Sequence, residues 1–176
     1  ILPGRITRLK GHLDLIEAGA LLKAQGVPIH LLLVGGVGDR HQRYARELRD
    51  RAAVLGLDDA IGFTGARSDL RELLAIADVV VSLSTRPESF GRTTLEALSL
   101  GRPVLGYAHG GVGQQLQALY PPGLVPVGSV PAVADRLRLW FERGAPPVMP
   151  GHAFTLARML DSTLALYDEV LSERGR

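Results

Sequence analysis

The sequence predicts an α/β fold, a doubly wound parallel sheet of about six strands with helices on both faces. Short apolar runs alternate with helix-length segments along most of the 176 residues, a pattern typical of β-α-β units. These runs are apolar on both faces and do not alternate, as strands covered by helices on both sides require. A chain of this length fits one domain, and we expect residues 1–176 to form a single one.

The predicted strands are short and rich in leucine and valine. They cover residues 29–34, 61–64, 78–83, 103–107 and, more weakly, 124–127, after a strand-like piece that ends at Arg5. Amphipathic patterns predict helices over residues 13–24, 41–55, 69–77, 90–100, 112–118 and 130–143. Because right-handed crossovers bring the carboxyl ends of parallel strands to one edge of the sheet, we expect functional residues to gather there.

A proline-rich segment, residues 144–150, interrupts the helical pattern near the carboxyl end. A last helix is predicted over residues 152–173, with an apolar stripe formed by Phe154, Leu156, Leu160, Leu164, Tyr167 and Leu171. The stripe packs either on this domain or on protein outside the chain, and the pattern leaves both open. The opening residues, Ile1 to Gly4, read as though the chain had been cut at a linker.

The composition excludes several classes of protein. The absence of cysteine excludes disulfide frameworks, thiolate zinc sites and cysteine nucleophiles. The longest apolar runs are too short to span a bilayer and no signal peptide opens the chain, so we expect a soluble intracellular domain. The histidines show no metal-ligand spacing; they are His12, His30, His41, His109 and His152. We interpret His30, within a predicted strand, as a core residue and Trp140 as a packing residue.

Basic and acidic residues nearly balance, with 20 Lys and Arg against 18 Asp and Glu. The densest basic stretch holds Arg40, Arg43, Arg46, Arg49 and Arg51. Acidic residues interrupt it at spacings that predict three pairs four residues apart on a helix: Arg43–Glu47, Arg46–Asp50 and Glu47–Arg51. We interpret the stretch as a solvated helix face, with a phosphate-tracking face as the alternative. No nucleic-acid partner is expected, because the stripe of basic and aromatic residues typical of such readers is missing.

The most informative segment is residues 86–101, directly after the strand predicted at 78–83. Pro87 keeps the chain extended there, and a helix is predicted to follow. The free N–H groups of its first turn, on Gly91, Arg92 and Thr93, would bind an anion with help from the helix dipole. A phosphate or diphosphate is the natural ligand.

Two carboxylates, Glu88 and Glu96, frame this anion site. Helical side chains tilt toward the amino terminus, so Glu96 can reach back to whatever adjoins the phosphate. Carboxylates accept hydrogen bonds from hydroxyls, so a phosphate flanked by ribose and a hexose suits the arrangement. The alternative is that Glu96 is an ordinary exposed helix residue and Glu88 an ordinary loop residue.

A second pattern lies near the amino terminus, in residues 4–11. Arg5 ends the first strand-like piece and Lys10 precedes the first helix, so both cations would emerge at the edge that carries the anion site. Arginine binds phosphate bidentately and lysine acts as a point charge. Alone, the two residues fit solvated surface charges better; with the anion site they form a cradle for a departing diphosphate.

Together these motifs resemble the group 1 glycosyltransferases (family 4), retaining enzymes of the two-domain GT-B fold. The matching pieces are Gly4-Arg5, Lys10-Gly11, Leu33-Val34-Gly35-Gly36, Phe63-Thr64-Gly65, Ala77-Asp78, Glu88-Ser89-Phe90-Gly91, Glu96-Ala97-Leu98, Gly101-Arg102-Pro103-Val104 and Gly110-Gly111. The likeness spans almost the whole chain. It implies that the chain is the Rossmann-like, C-terminal, donor-binding half of such an enzyme, with the N-terminal acceptor-binding half outside it.

The resemblance also implies roles for single residues. Arg5, Lys10 and Glu88 are the candidate catalytic residues: the two cations would neutralise the diphosphate and Glu88 would face the donor sugar. Glu96 would hold the ribose hydroxyls. The loop from Thr64 to Arg67 would lie near the base. The candidate donor-binding residues are Gly4, Gly35, Gly36, Thr64, Gly65, Arg67, Ser89, Phe90, Gly91, Arg92, Thr93 and Glu96.

The implied reaction retains anomeric configuration and needs no metal or cofactor besides the nucleotide-diphosphate sugar. The implied setting is bacterial glycan, lipopolysaccharide or glycolipid synthesis in the cytoplasm. The absent domain could attach the enzyme to the inner face of the membrane. The sequence departs from the family at Gly113-Gln114, where relatives often have Pro-Glu. A non-catalytic nucleotide-binding module and a sugar-nucleotide epimerase of the same fold are the alternatives.

Overall fold

A computed structural model describes residues 1–151 and 154–174 of the chain. The strands are β1 (Leu2–Pro3), β2 (Leu31–Val34), β3 (Ile61–Gly65), β4 (Val80–Ser82), β5 (Val104–Tyr107) and β6 (Leu124–Val125). The α-helices are α1 (His12–Ala24), α2 (Gln42–Val54), α3 (Leu70–Ile76), α4 (Arg92–Ser99), α5 (Gly110–Leu119), α6 (Val130–Arg143) and α7 (Leu156–Arg174). Short 3-10 turns cover Arg8–Lys10, Asp39–His41 and Pro121–Gly123. The predicted alternation of strands and helices is confirmed.

All strand pairs are parallel, in two three-stranded sheets ordered β1-β2-β3 and β4-β5-β6. The sheets meet where β1 runs beside β4: the Val81 N–H donates to the Ile1 carbonyl over 2.8 Å. The strands therefore follow the order β3-β2-β1-β4-β5-β6. Successive strands are added on one side of β1 up to β3 and then on the other side from β4 onward. In open α/β sheets, ligands bind at such a switch point.

Helices cover both faces, as predicted. α1 packs against α2 and α6, whereas α4 packs against α3 and α5. Right-handed crossovers place these two groups on opposite faces of the sheet. Strand residues such as Leu33, Val104 and Leu105 are fully buried between the two layers, and this burial is the main source of stability.

Three strands, β2, β4 and β5, begin one or two residues later than predicted. Pairing of β2 begins at Leu31, whose N–H donates to the Ala60 carbonyl over 2.7 Å. Pro28 lacks an N–H and the residues around it stay outside the sheet. His30 is consequently exposed, and its interpretation as a core histidine is wrong. Trp140 is buried with its ring 5.9 Å from that of Tyr120, so its role in packing is confirmed.

The basic face of α2 differs in part from the expected pairing. Arg43 pairs with Glu47 as predicted, over 3.1 Å. Arg51, however, donates two hydrogen bonds to the Glu17 carboxylate of α1, from Nε over 2.6 Å and from Nη2 over 3.0 Å. The predicted Glu47–Arg51 pair is wrong, because the neighbouring helix offers Arg51 a bidentate carboxylate. The ion pairs of residues 1–151 and 154–174 do not include Arg46–Asp50 either.

The proline-rich connector is held to the domain by Tyr120, whose hydroxyl donates to the Pro146 carbonyl over 2.7 Å. α7 follows it; the residues at which this helix was predicted to start, 152 and 153, lie outside the described residues. Phe154 precedes α7 and lies against Phe90, but the part of the apolar stripe within α7 is exposed: Leu156, for example, keeps 69% of its surface accessible. Burial of the stripe against this domain, one of the two alternatives, is therefore not what the structure shows. Among the described residues, no helix has both the length and the apolarity to cross a bilayer.

Candidate functional site

The loops that follow β1 and β4 meet at the switch point of the sheet. The Thr85 N–H donates to the Leu9 carbonyl over 2.8 Å, which ties the two loops together. Gly11, between the 3-10 turn and α1, has a φ of +72°, and a Cβ there would overlap the Leu83 carbonyl. Only glycine allows the first loop to approach β4 so closely.

Lys10 and Glu88 form an ion pair at this junction. The Lys10 ammonium donates to Glu88 Oε1 over 2.7 Å, and the Ser84 hydroxyl donates to the same oxygen. The two side chains are 34% and 26% exposed. Burial alone would raise the pKa of Glu88, but the hydrogen bonds from Lys10 and Ser84 and the Lys10 charge outweigh it and lower that pKa. Glu88 is therefore held ionised beside a lysine that can still reach solvent.

The amino terminus of α4 opens beside this pair. Gly91, with a φ of +83°, caps the helix, which begins at Arg92 and not at Phe90 as predicted. The left-handed conformation of Gly91 ends the preceding loop, so Phe90 stays outside the helix. The first-turn N–H groups have no acceptor within the helix. A cavity of about 20 Å³, wide enough for about one water molecule, lies here, lined by Pro3, Lys10, Val80, Val81, Ser82, Glu88, Gly91, Thr93 and Thr94.

The loop from Glu88 to Gly91 is clamped by α5. The Gly111 N–H donates to the Glu88 carbonyl over 2.7 Å, and the Gln115 amide donates to the Phe90 carbonyl over 2.5 Å. A Cβ on Gly111 would lie 2.5 Å from that same Phe90 oxygen. The sequence pattern singled out Gly110 and Gly111 but gave them no role. Two adjacent glycines after a strand were the available signal for a close backbone approach.

His109 also supports this region. Its Nε2 donates to the Ser84 carbonyl over 2.7 Å, next to the hydroxyl that binds Glu88. Gln115, not Gln114, reaches the site loop; Gln114 is exposed.

Arg5 and Lys10 leave the same loop but line different spaces. Arg5 is exposed and lines a groove with Arg8 and Arg40, whereas Lys10 lines the small cavity beside α4. The predicted turn at Gly35 and Gly36 follows β2 and packs on this loop: a Cβ on Gly35 would overlap the carbonyl of Gly4.

The remaining predicted residues lie around the site without touching the Lys10–Glu88 pair. Glu96 is exposed and accepts a 3.5 Å hydrogen bond from Arg92, one turn earlier on α4. Thr64 and Gly65 end β3, and Arg67 pairs with Asp69 over 2.8 Å. Ser89 is exposed, and the ring of Phe90 lies 6.2 Å from that of Phe154. Their assignments to ribose, base and sugar stay predictions.

Within residues 1–151 and 154–174, no group of three His, Asp or Glu side chains is arranged to hold a metal ion. The expectation of metal-independent transfer stays a prediction.

Comparison with known proteins shows the family of the chain. Residues 1–150 match the family model described as "Glycosyl transferases group 1". The D-inositol 3-phosphate glycosyltransferase of Corynebacterium urealyticum is 36% identical over 139 residues, which cover 76% of this chain and 32% of the relative. The mannosylfructose-phosphate synthase of Agrobacterium fabrum is 35% identical over 62% of this chain and 25% of the relative. This chain thus spans a quarter to a third of the length of these relatives.

Solved structures give the same result. HepE of Anabaena, in complex with UDP and glucose, superposes with a TM-score of 0.74 at 31% identity, covering 81% of this chain and 38% of that one. A glycosyltransferase of Rickettsia africae superposes with a TM-score of 0.81 at 27% identity, over 97% of this chain and 47% of that one. The sequence motifs, the strand order and the match over residues 1–150 show that the chain belongs to the group 1 glycosyltransferases, with the Rossmann-like architecture of their GT-B fold.

Proposed function

We propose that this chain is the C-terminal, donor-binding domain of a retaining glycosyltransferase, which transfers a sugar from a nucleotide-diphosphate sugar to an acceptor. The observation that carries the proposal is the Lys10–Glu88 pair, placed at the switch point of the sheet beside the amino terminus of α4. This juxtaposition offers a cation, free amides and a carboxylate to one ligand. A diphosphate joined to a sugar presents the matching groups.

In this proposal the diphosphate lies between Lys10 and the first turn of α4. The Lys10 ammonium and the N–H groups of Gly91, Arg92 and Thr93 stabilise the negative charge that grows on the leaving diphosphate. Arg5 lies on the same loop but lines the neighbouring groove, so in this proposal its side chain turns toward the diphosphate to add a second cation. Because Lys10 and the helix amides are held in place before the ligand arrives, they supply the stabilisation that a metal ion gives in other transferases, and the proposed reaction proceeds without one.

Carboxylates position the two sugars. Glu88, held ionised by Lys10 and Ser84, accepts hydrogen bonds from hydroxyls of the donor sugar. The ion pair between Glu96 and Arg92 is exposed and contributes little to stability. Glu96 therefore leaves Arg92 at little cost and turns toward the ribose hydroxyls. Gly65 and Arg67 lie near the base. The complexes of HepE with UDP and glucose and with UDP-glucose support this class of donor.

A second, N-terminal domain outside this chain is needed to complete the acceptor site. The partial coverage of the relatives supports this part of the proposal. Since the acceptor site is incomplete without that domain, the isolated chain binds donor but transfers no sugar. By their names, one relative acts on D-inositol 3-phosphate and the other forms mannosylfructose phosphate. These names support a role in bacterial glycan or glycolipid synthesis. The proposed location is the cytoplasm, including the inner face of the membrane.

Calorimetric titration of the chain with UDP and GDP tests the proposal, with adenosine as a probe that lacks phosphate. We expect one nucleoside diphosphate to bind in a 1:1 complex. Absence of binding to either at millimolar concentration contradicts the proposal. Adding the upstream domain and assaying transfer to acceptor then separates a transferase from a module that only binds nucleotide, and sugar isomerisation without acceptor identifies an epimerase.

A further inference from the structure

An open groove of about 510 Å³ lies between the loop after β1 and the start of α2. Its walls carry Arg5, Arg8, Arg40, Arg43, His41 and Tyr44. β1 and β2 are neighbouring parallel strands, so the groove opens at the same edge of the sheet as the Lys10–Glu88 pair. It lies on the β2 side of β1, whereas Lys10 and Glu88 lie on the β4 side. The groove is therefore adjacent to the proposed donor site and separate from it.

The groove concentrates positive charge that the chain does not neutralise. Glu47 pairs with both Arg8 and Arg43, so one carboxylate serves two guanidinium groups. The side chains of Arg5 and Arg40 have no hydrogen bond or ion pair within residues 1–151 and 154–174. Like charges held close together repel each other, and a bound anion removes that repulsion.

One of the arginines is exposed but restrained before any ligand binds. The Arg8 guanidinium lies 4.5 Å from the centre of the Tyr44 ring, and Tyr44 is buried. The cation–π contact and the Glu47 pair together restrain a side chain that would otherwise be mobile. A planar guanidinium with its donors held in one orientation suits the oxygens of a phosphate.

We infer that Arg8, Arg40 and Arg43 form a second anion site, which binds the phosphate monoester of a phosphorylated acceptor. The groove is larger than a phosphate and has the size of pockets that enclose small molecules, so it admits the group attached to the phosphate as well. The identification of that molecule as the acceptor rests on the proposed function; the anion site itself does not. A soluble sugar phosphate and a phospholipid headgroup carry the same phosphate chemistry.

Titration of the chain with glucose 6-phosphate tests the inference, with glucose as the uncharged probe. We expect glucose 6-phosphate to bind with unchanged affinity after the chain is saturated with UDP, and glucose not to bind. Arg40→Gln should weaken glucose 6-phosphate by about tenfold, the loss expected for one charged hydrogen bond, and leave UDP binding unchanged. Arg71→Gln, on the exposed surface of α3 across the sheet, removes the same charge and should change neither.

Sedimentation with vesicles of phosphatidylcholine, with and without phosphatidic acid, distinguishes the two sources of phosphate. If the chain binds vesicles with phosphatidic acid but not glucose 6-phosphate, and the binding depends on Arg40, the site is assigned to a lipid headgroup. Competition between glucose 6-phosphate and UDP, equal affinity in the Arg40→Gln variant, or binding to neither phosphate probe overturns the inference. If UDP does not bind but glucose 6-phosphate does so through Arg40, the proposed function fails and the anion site stands.

Discussion

The ammonium of Lys10 lies 2.7 Å from the carboxylate of Glu88, although 78 positions separate the two residues along the chain. The pair joins the loops after β1 and β4, the two strands at which the order of the sheet reverses. Its position beside the amino terminus of α4 brings a cation, a carboxylate and free amides to one point of the sheet edge.

Because the pKa of Glu88 is lowered in the folded chain, the Lys10–Glu88 pair makes stability depend on pH. The contribution is fully present above the ordinary carboxyl pKa of about 4.3 and is lost as the pH falls through the lower, folded pKa. Glu88→Gln should therefore destabilise the chain more at pH 7 than at pH 3. The difference should be below about 1 kcal/mol, since the pair is partly exposed.

Urea unfolding at the two pH values measures this difference. Lys10→Gln serves as the control, because it removes the same pair from the other side. An equal loss in Glu88→Gln at both pH values would show that the carboxylate charge contributes nothing at this position.

The close contact between Gly111 and Phe90 predicts that position 111 does not tolerate a side chain. A Cβ on Gly111 would lie 2.5 Å from the Phe90 oxygen, so Gly111→Ala forces the loop away. We expect a loss of about 1–3 kcal/mol of unfolding free energy, as for overpacking, together with weaker UDP binding. Gly38→Ala is the control, because Gly38 has nothing within 4 Å and an ordinary φ of −72°. Equal stability of the two variants in urea would contradict the clamp.

The proposed contact between Glu96 and ribose predicts selective loss of nucleotide binding. Glu96→Ala should weaken UDP by about tenfold and leave inorganic pyrophosphate nearly unchanged, because pyrophosphate has no ribose. Calorimetry with both ligands measures this, with Glu72→Ala on the exposed face of α3 as the control. Equal losses for UDP and pyrophosphate would remove the ribose assignment.

The sequence predicted the parts of the fold that depend on local pattern. Apolar runs such as residues 31–34 and 104–107 mark β2 and β5, and the strand–loop–helix unit from β4 to α4 follows from Pro87, Gly91 and the apolar helix residues. Their order along the chain, with right-handed crossovers, was enough to place Lys10 and Glu88 at one edge.

The sequence pattern could not predict contacts between segments that are distant along the chain. The partner of Arg51 is Glu17 on another helix, and no local spacing distinguishes it from Glu47. The clamp of Gly111 and Gln115 on the site loop joins two loops that face each other only in the folded sheet. His30 was misplaced because its apolar neighbours suggested a strand that Pro28 delays to Leu31.

A crystal structure of the chain with UDP-glucose tests the central claim most directly. The account predicts the diphosphate within hydrogen-bonding distance of Lys10 Nζ and of the Arg92 and Thr93 amides, with the glucose hydroxyls on Glu88. A diphosphate bound away from α4, with Lys10 and Glu88 still paired only to each other, would contradict it.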